Sequence, residues 1–124
     1  MEVILDTNFI ISCLLLKIDF ISQLQEEGFT RILVPKEVIG ELKDLKINSK
    51  SSQAERAAIN TALILLEHKL VKKTELGTKT VDEGLLKMGK KGFYIATVDG
   101  GINRQIPNKV IILRAKKSIG IERV

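Results

Sequence analysis

The chain has 124 residues, with 20 Lys and Arg against 15 Asp and Glu and a formal net charge of +5. That length suits one domain with a real core and is too short for two, so a single domain over 1–124 is expected. With one Cys and one His, an internal disulfide framework and a zinc or iron–sulfur cluster are excluded. The basic excess favours an anionic partner, nucleic acid first, with a solvated basic surface as the plainer reading.

The chain opens on MEVILDTNFI, where the apolar run Val3, Ile4, Leu5 stops abruptly at Asp6, Thr7, Asn8. Such a run predicts a strand buried on both faces, as in the middle of a parallel sheet. Asp6 then lies at the carboxyl end of the strand, where open α/β sheets gather ligands. Thr7 is expected to cap the apolar helix from Phe9 to Leu16. Cys13 in that helix reads as a small core residue.

Ile18, Ile21, Leu24 and Gln25 predict a further helix closing at Gly28 as C′ residue. Arg31 to Val34 reads as the second strand. Pro35 suits the first position of the next helix, and Glu37 the positive end of its dipole; Glu37 also lies one turn from Glu41. In that helix Val38, Leu42 and Leu45 make an apolar stripe with Glu41 inside it, so Glu41 is expected to face inward. The polar stretch Asn48 to Ser52 reads as a flexible loop, and Ser52 to Glu55 as a capping box opening a helix to about Lys69. His68 lies near its end, where a polar side chain suits the last carbonyls, and no catalytic partner accompanies it.

Leu70 to Lys73 predicts the third strand. Thr78 to Lys91 carries a helix in which Asp82 precedes Leu85 and Leu86 by three and four residues, which places it on the core side of the first turn. Glu83 completes a capping box with Thr80 and stands beside Asp82 as a supporting acid. Lys87, Lys90 and Lys91 suit the helix's last turn. Phe93 to Ala96 predicts a fourth strand running through Thr97 and Val98 into Asp99, with Gly100 and Gly101 permitting a sharp turn. Arg104 follows on a short turn of helix, and Lys109 to Leu113 is the fifth strand. Alternating strands and helices predict an α/β three-layer sandwich around a mostly parallel sheet of about five strands.

Four inward acids, Asp6, Glu41, Asp82 and Asp99, would repel one another without a cation between them. Mg²⁺ or Mn²⁺ fits, because these hard ions prefer oxygen and take few carboxylates, completing their shells with water and phosphate.

The motifs DTN after the first strand, Pro then Glu-Leu in the next helix, DEGL opening a later helix and ATVD after the fourth strand together resemble a PIN-domain ribonuclease. The resemblance runs from Val3 to about Arg114. It implies a divalent-metal-dependent endoribonuclease in which Asp6, Asp82 and Asp99 hold the metal and Glu41 completes the catalytic cluster. Asn8 and Thr97 are suited to orienting those ligands by hydrogen bonds. Within the family, ATVDGGINRQIP followed by VIILRAKKSI is similar to the branch that processes ribosomal RNA, with a ribosome-assembly partner. The alternative is the toxin half of a toxin–antitoxin pair, with an antitoxin partner.

Two rivals are set against this reading. A phosphoacceptor receiver domain needs an acidic pair after the first strand and an Asp ending the third, and neither is present. A PIN fold that only binds RNA or protein is disfavoured by the full set of four acids. Lys36, Lys87, Arg104, Arg114, Lys116 and Lys117 are the candidates for contact with an RNA backbone. Ile119 and Ile121 alternate in a way that permits a tail strand, including one that forms a homodimer. The apolar run Phe9 to Leu16 is too short to span a bilayer, so a cytoplasmic protein without membrane contact is expected.

Overall fold

In the computed structural model of the chain, which describes residues 1–48 and 50–123, Val3, Ile4 and Leu5 have no solvent exposure. They form β1 (Glu2–Leu5), flanked on both sides by parallel strands: β2 (Arg31–Pro35) and β4 (Tyr94–Ala96). With β3 (Val71–Thr74), β5 (Lys109–Leu113) and β6 (Ser118–Glu122) they make one six-stranded sheet in the order β3-β2-β1-β4-β5-β6. All neighbours are parallel except β5 and β6. The sheet thus has six strands where about five were expected. The alternating Ile119 and Ile121 of the tail pair with Ile112 and Val110 of the same chain.

Successive residues of each central strand face opposite layers. Val3, Leu5, Ile32, Val34, Tyr94 and Ala96 belong to the larger core. It lies under α1 (Thr7–Leu15), α2 (Phe20–Glu26), α3 (Lys36–Ile47) and α4 (Gln53–Leu65). Ile4, Leu33 and Ile95 belong to a smaller core with Leu85, Ile102 and Ile106. That side is covered by α5 (Val81–Lys90) and the one-turn α6 (Gly100–Asn103). The expected three-layer α/β architecture results. Its strand order reverses between β1 and β4, and at such a switch point the connections leave in opposite directions and open a crevice at the carboxyl ends.

Several local expectations shift by a residue. The N-cap of α1 is Asp6, whose Oδ1 accepts the Thr7 N–H at 2.8 Å; Thr7 is the first helical residue, leaving its hydroxyl free for another partner. Pro35 is the extended N-cap of α3 and still ends β2. Gly28 is C′ of α2, with φ +97 as a left-handed turn requires. Ser52 caps α4, but the helix ends at Leu65, and His68 Nδ1 accepts the Leu70 N–H in the turn beyond. The expected loop over 48–52 includes Ser49, which lies outside the described residues. Cys13 is fully buried, and burial pushes its thiol up to about 12, which keeps it protonated and inert. Among the described residues no single helix is long and apolar enough to cross a membrane.

Candidate active site

The switch point brings the ends of β1 and β4 together. Leu5 pairs with Ala96, and the Asp6 N–H donates to the Ala96 carbonyl at 2.9 Å. The side chains are joined as well: Thr97 Oγ1 donates to Asp6 Oδ2 at 2.8 Å and accepts the Asp99 N–H at 3.2 Å. Thr97 is 1% exposed, so water does not compete for that hydroxyl.

Asp99 caps α6, its Oδ1 accepting from Gly101 N at 2.8 Å and Ile102 N at 3.1 Å. A Cβ on Gly101 would sit 3.1 Å from that same oxygen, so glycine permits the close approach. The other carboxylate oxygen, Oδ2, makes no hydrogen bond among the described residues. On the far side, Thr7 Oγ1 donates to Glu41 Oε1 at 2.5 Å, tying α3 to the start of α1.

Asp6, Glu41, Asp82 and Asp99 line a single cavity of about 590 Å³, together with Thr7, Asn8, Asp44, Leu45, Val81 and Val98. Glu41 and Asp82, expected to face inward, are both exposed. Helical periodicity gave their side of the helix correctly, but that side opens on the cavity; Val38, Leu42 and Leu85 take the core positions. Asp44 is a fifth acid that the sequence reading missed. Its signal was its spacing, three residues after Glu41 on the same helix.

The electrostatics follow from this crowding. Burial pushes the Asp6 carboxyl above its ordinary range; hydrogen bonds from Thr97 and Thr7 pull it down, and the charges of Glu41 and Asp82 push it up again. Carboxylate oxygens from four elements suit a hard divalent ion. They line a wall and do not converge on a point: among the described residues no three Asp, Glu, His or Cys side chains already stand close enough to share an ion.

The other candidates lie around this cavity. Asn8 is in its wall, exposed, and its amide makes no hydrogen bond among the described residues. Glu83 is not in the wall; its N–H donates to Thr80 Oγ1 at 3.2 Å, the capping role. Glu37 is also outside, its carboxylate taking the N–H groups of Leu76 and Gly77 at 3.1 to 3.2 Å. Lys36 is ion-paired with Glu75. Lys87, Arg104, Lys116 and Lys117 are exposed outside the wall, and Arg114 lines a neighbouring cavity. Asn103, not singled out from sequence, donates from Nδ2 to the Thr97 carbonyl at 3.2 Å.

The PIN like domain family model matches residues 3–116 of the chain. Ribonuclease VapC9 of Archaeoglobus fulgidus is 32% identical over 123 residues, covering 96% of this chain and 87% of that one. A family match across nearly the whole sequence, and an end-to-end relative on the same scale, agree with the motifs and the fold: the chain belongs to the PIN-like domain family.

Proposed function

We propose that the chain is a divalent-metal-dependent endoribonuclease that acts as the toxin of a toxin–antitoxin pair. The observation carrying this reading is the meeting of Asp6, Glu41, Asp82 and Asp99 in one cavity at the β1/β4 switch point. The toxin role is favoured over ribosomal-RNA processing by the end-to-end relative, a VapC ribonuclease.

Asp6, Asp82 and Asp99 would hold Mg²⁺ or Mn²⁺, with Glu41 in the same wall. Such an ion, when bound, lowers the pKa of a water and neutralises the scissile phosphate. Thr97 holds Asp6 from one side and Thr7 holds Glu41 from the other, so the two carboxylates keep their orientation without help from substrate. In the hydrolysis a bond forms from water oxygen to phosphorus, the bond to the leaving sugar oxygen breaks, and the water's proton is transferred to that oxygen. Single-stranded or loop RNA suits the open crevice, because its phosphates and bases are easiest to present. An antitoxin would restrain the activity by binding the toxin.

The test is cleavage of a labelled single-stranded RNA by the purified chain. Activity with Mg²⁺ or Mn²⁺ that disappears on chelation is expected. Full activity in chelator, or none under any metal, would overturn the reading.

A further inference from the structure

Val98 follows β4 as an apolar residue 40% exposed, and it lines two cavities. On one side is the acidic cavity. On the other is a smaller one of about 180 Å³, lined by Thr97, Val98, Asn103, Ile111, Ile112 and Arg114. The two differ sharply in charge: five carboxylates line the first, whereas none lines the second and Arg114 brings a full positive charge.

That charge is unmatched. Arg114 is exposed and has no carboxylate partner among the described residues, whereas Lys36 is paired with Glu75. A nucleic-acid strand with one phosphate at the acidic wall must carry its next phosphates away from the remaining carboxylates, because like charges repel. The second cavity is the adjacent place where such a phosphate meets a fork of donors.

Resting on the nuclease reading, we propose that the cavity at Arg114 is a subsite for the phosphate adjacent to the scissile one, with the substrate strand crossing Val98. The sugar or base between the two phosphates then covers the exposed Val98 side chain. Asn103 and Thr97 line the subsite, so the residue that orients Asp6 also borders it.

The experiment pairs Arg114→Ala with a set of short RNAs of one sequence, each carrying a single neutral methylphosphonate linkage at a different position near the cut. For the all-phosphate RNA, Arg114→Ala is expected to raise KM several-fold with kcat little changed, and to make the salt dependence of binding shallower by about 0.7 in log–log slope. The substitution should have no further effect on the RNA whose neutral linkage adjoins the cut on one side. Arg114→Lys should recover part of the loss. An equal loss on every neutral-linkage RNA, or no loss on any, would overturn the subsite. Failure of the unsubstituted chain to cut any RNA would instead overturn the nuclease reading, so the two failures are distinguishable.

Discussion

The hydroxyl of Thr97 donates to Oδ2 of Asp6 across 2.8 Å, although 91 positions separate the two residues. The contact exists because β1 and β4 are adjacent parallel strands whose ends coincide at Leu5 and Ala96. Thr97→Val keeps the side chain's shape and removes the donor. Cleavage should fall about 10- to 100-fold, the usual cost of losing a group that orients a metal ligand. The loss in stability should be about 1 kcal/mol. Single-turnover rates and a denaturation curve check both, and an unchanged rate would mean that Asp6 needs no orienting partner.

The raised Asp6 carboxyl leads to a stability prediction for the metal-free protein. Its folded pKa lies above the ordinary value, so ionised Asp6 costs stability above that folded pKa, and the cost fades as pH falls towards the unfolded value. Asp6→Asn should therefore raise the metal-free melting temperature at pH 7 and lose that advantage near pH 3. Asp99→Asn should bring no such gain, since Asp99 caps α6 through two N–H groups and the charges raising Asp6 are those of Glu41 and Asp82. Thermal melts of both variants in chelator at the two pH values decide it. A gain that persists at pH 3 would point to something other than charge.

Glu37 holds the segment on which α5 rests. Its carboxylate binds the N–H groups of Leu76 and Gly77. A Cβ added at Gly84 would fall 2.7 Å from Leu76 Cβ and 2.8 Å from Thr78 Oγ1. Partial burial works to raise the Glu37 carboxyl, but hydrogen bonds from its own amide, Gly77 and Leu76, with the Lys36 charge, bring it below the ordinary range. The sign follows: its stabilisation is present above the unfolded pKa and is lost as pH falls through the lower folded value. Glu37→Gln should lower the melting temperature at neutral pH and match the unsubstituted protein in strong acid. Gly84→Ala should cost about 1 to 3 kcal/mol by overpacking, and it should weaken activity because Asp82 lies in the same helical turn. A Gly84→Ala protein as stable as the parent would show that the contact yields easily.

Lys116 and Lys117 lie in the connection between β5 and β6, at the carboxyl end of a strand parallel to β4. Replacing both with Ala should weaken RNA binding and reduce its salt slope by about 1.4, if each neutralises one phosphate of a single strand. Binding titrations at several salt concentrations measure this. An unchanged slope would remove both from the phosphate path.

Much of the site was legible because its signals are local. A buried apolar run ending in Asp needs no knowledge of neighbours, and both Asp6 and Asp99 were found that way. Helical spacing found the side of the helix on which Glu41 and Asp82 lie. It could not show that this side meets solvent, because the crevice is made by the reversal of strand order between β1 and β4, a relation between distant segments. Thr7 reads as the cap because Asp and Thr both serve in that role, and only the fold brings Glu41 to the Thr7 hydroxyl, leaving the cap to Asp6. Alternation at Ile119 and Ile121 permits a sixth strand but does not reveal its partner, which β5 supplies.

The acids at the β1/β4 switch point should act together as one metal centre. Crystals of the protein soaked in Mn²⁺ test it directly through anomalous scattering. A peak is expected in the acidic cavity within coordination distance of oxygens of Asp6 and Asp99, with Asp82 or Glu41 reached directly or through water. Saturating Mn²⁺ that leaves this cavity without a peak, or binds only elsewhere on the chain, would contradict it.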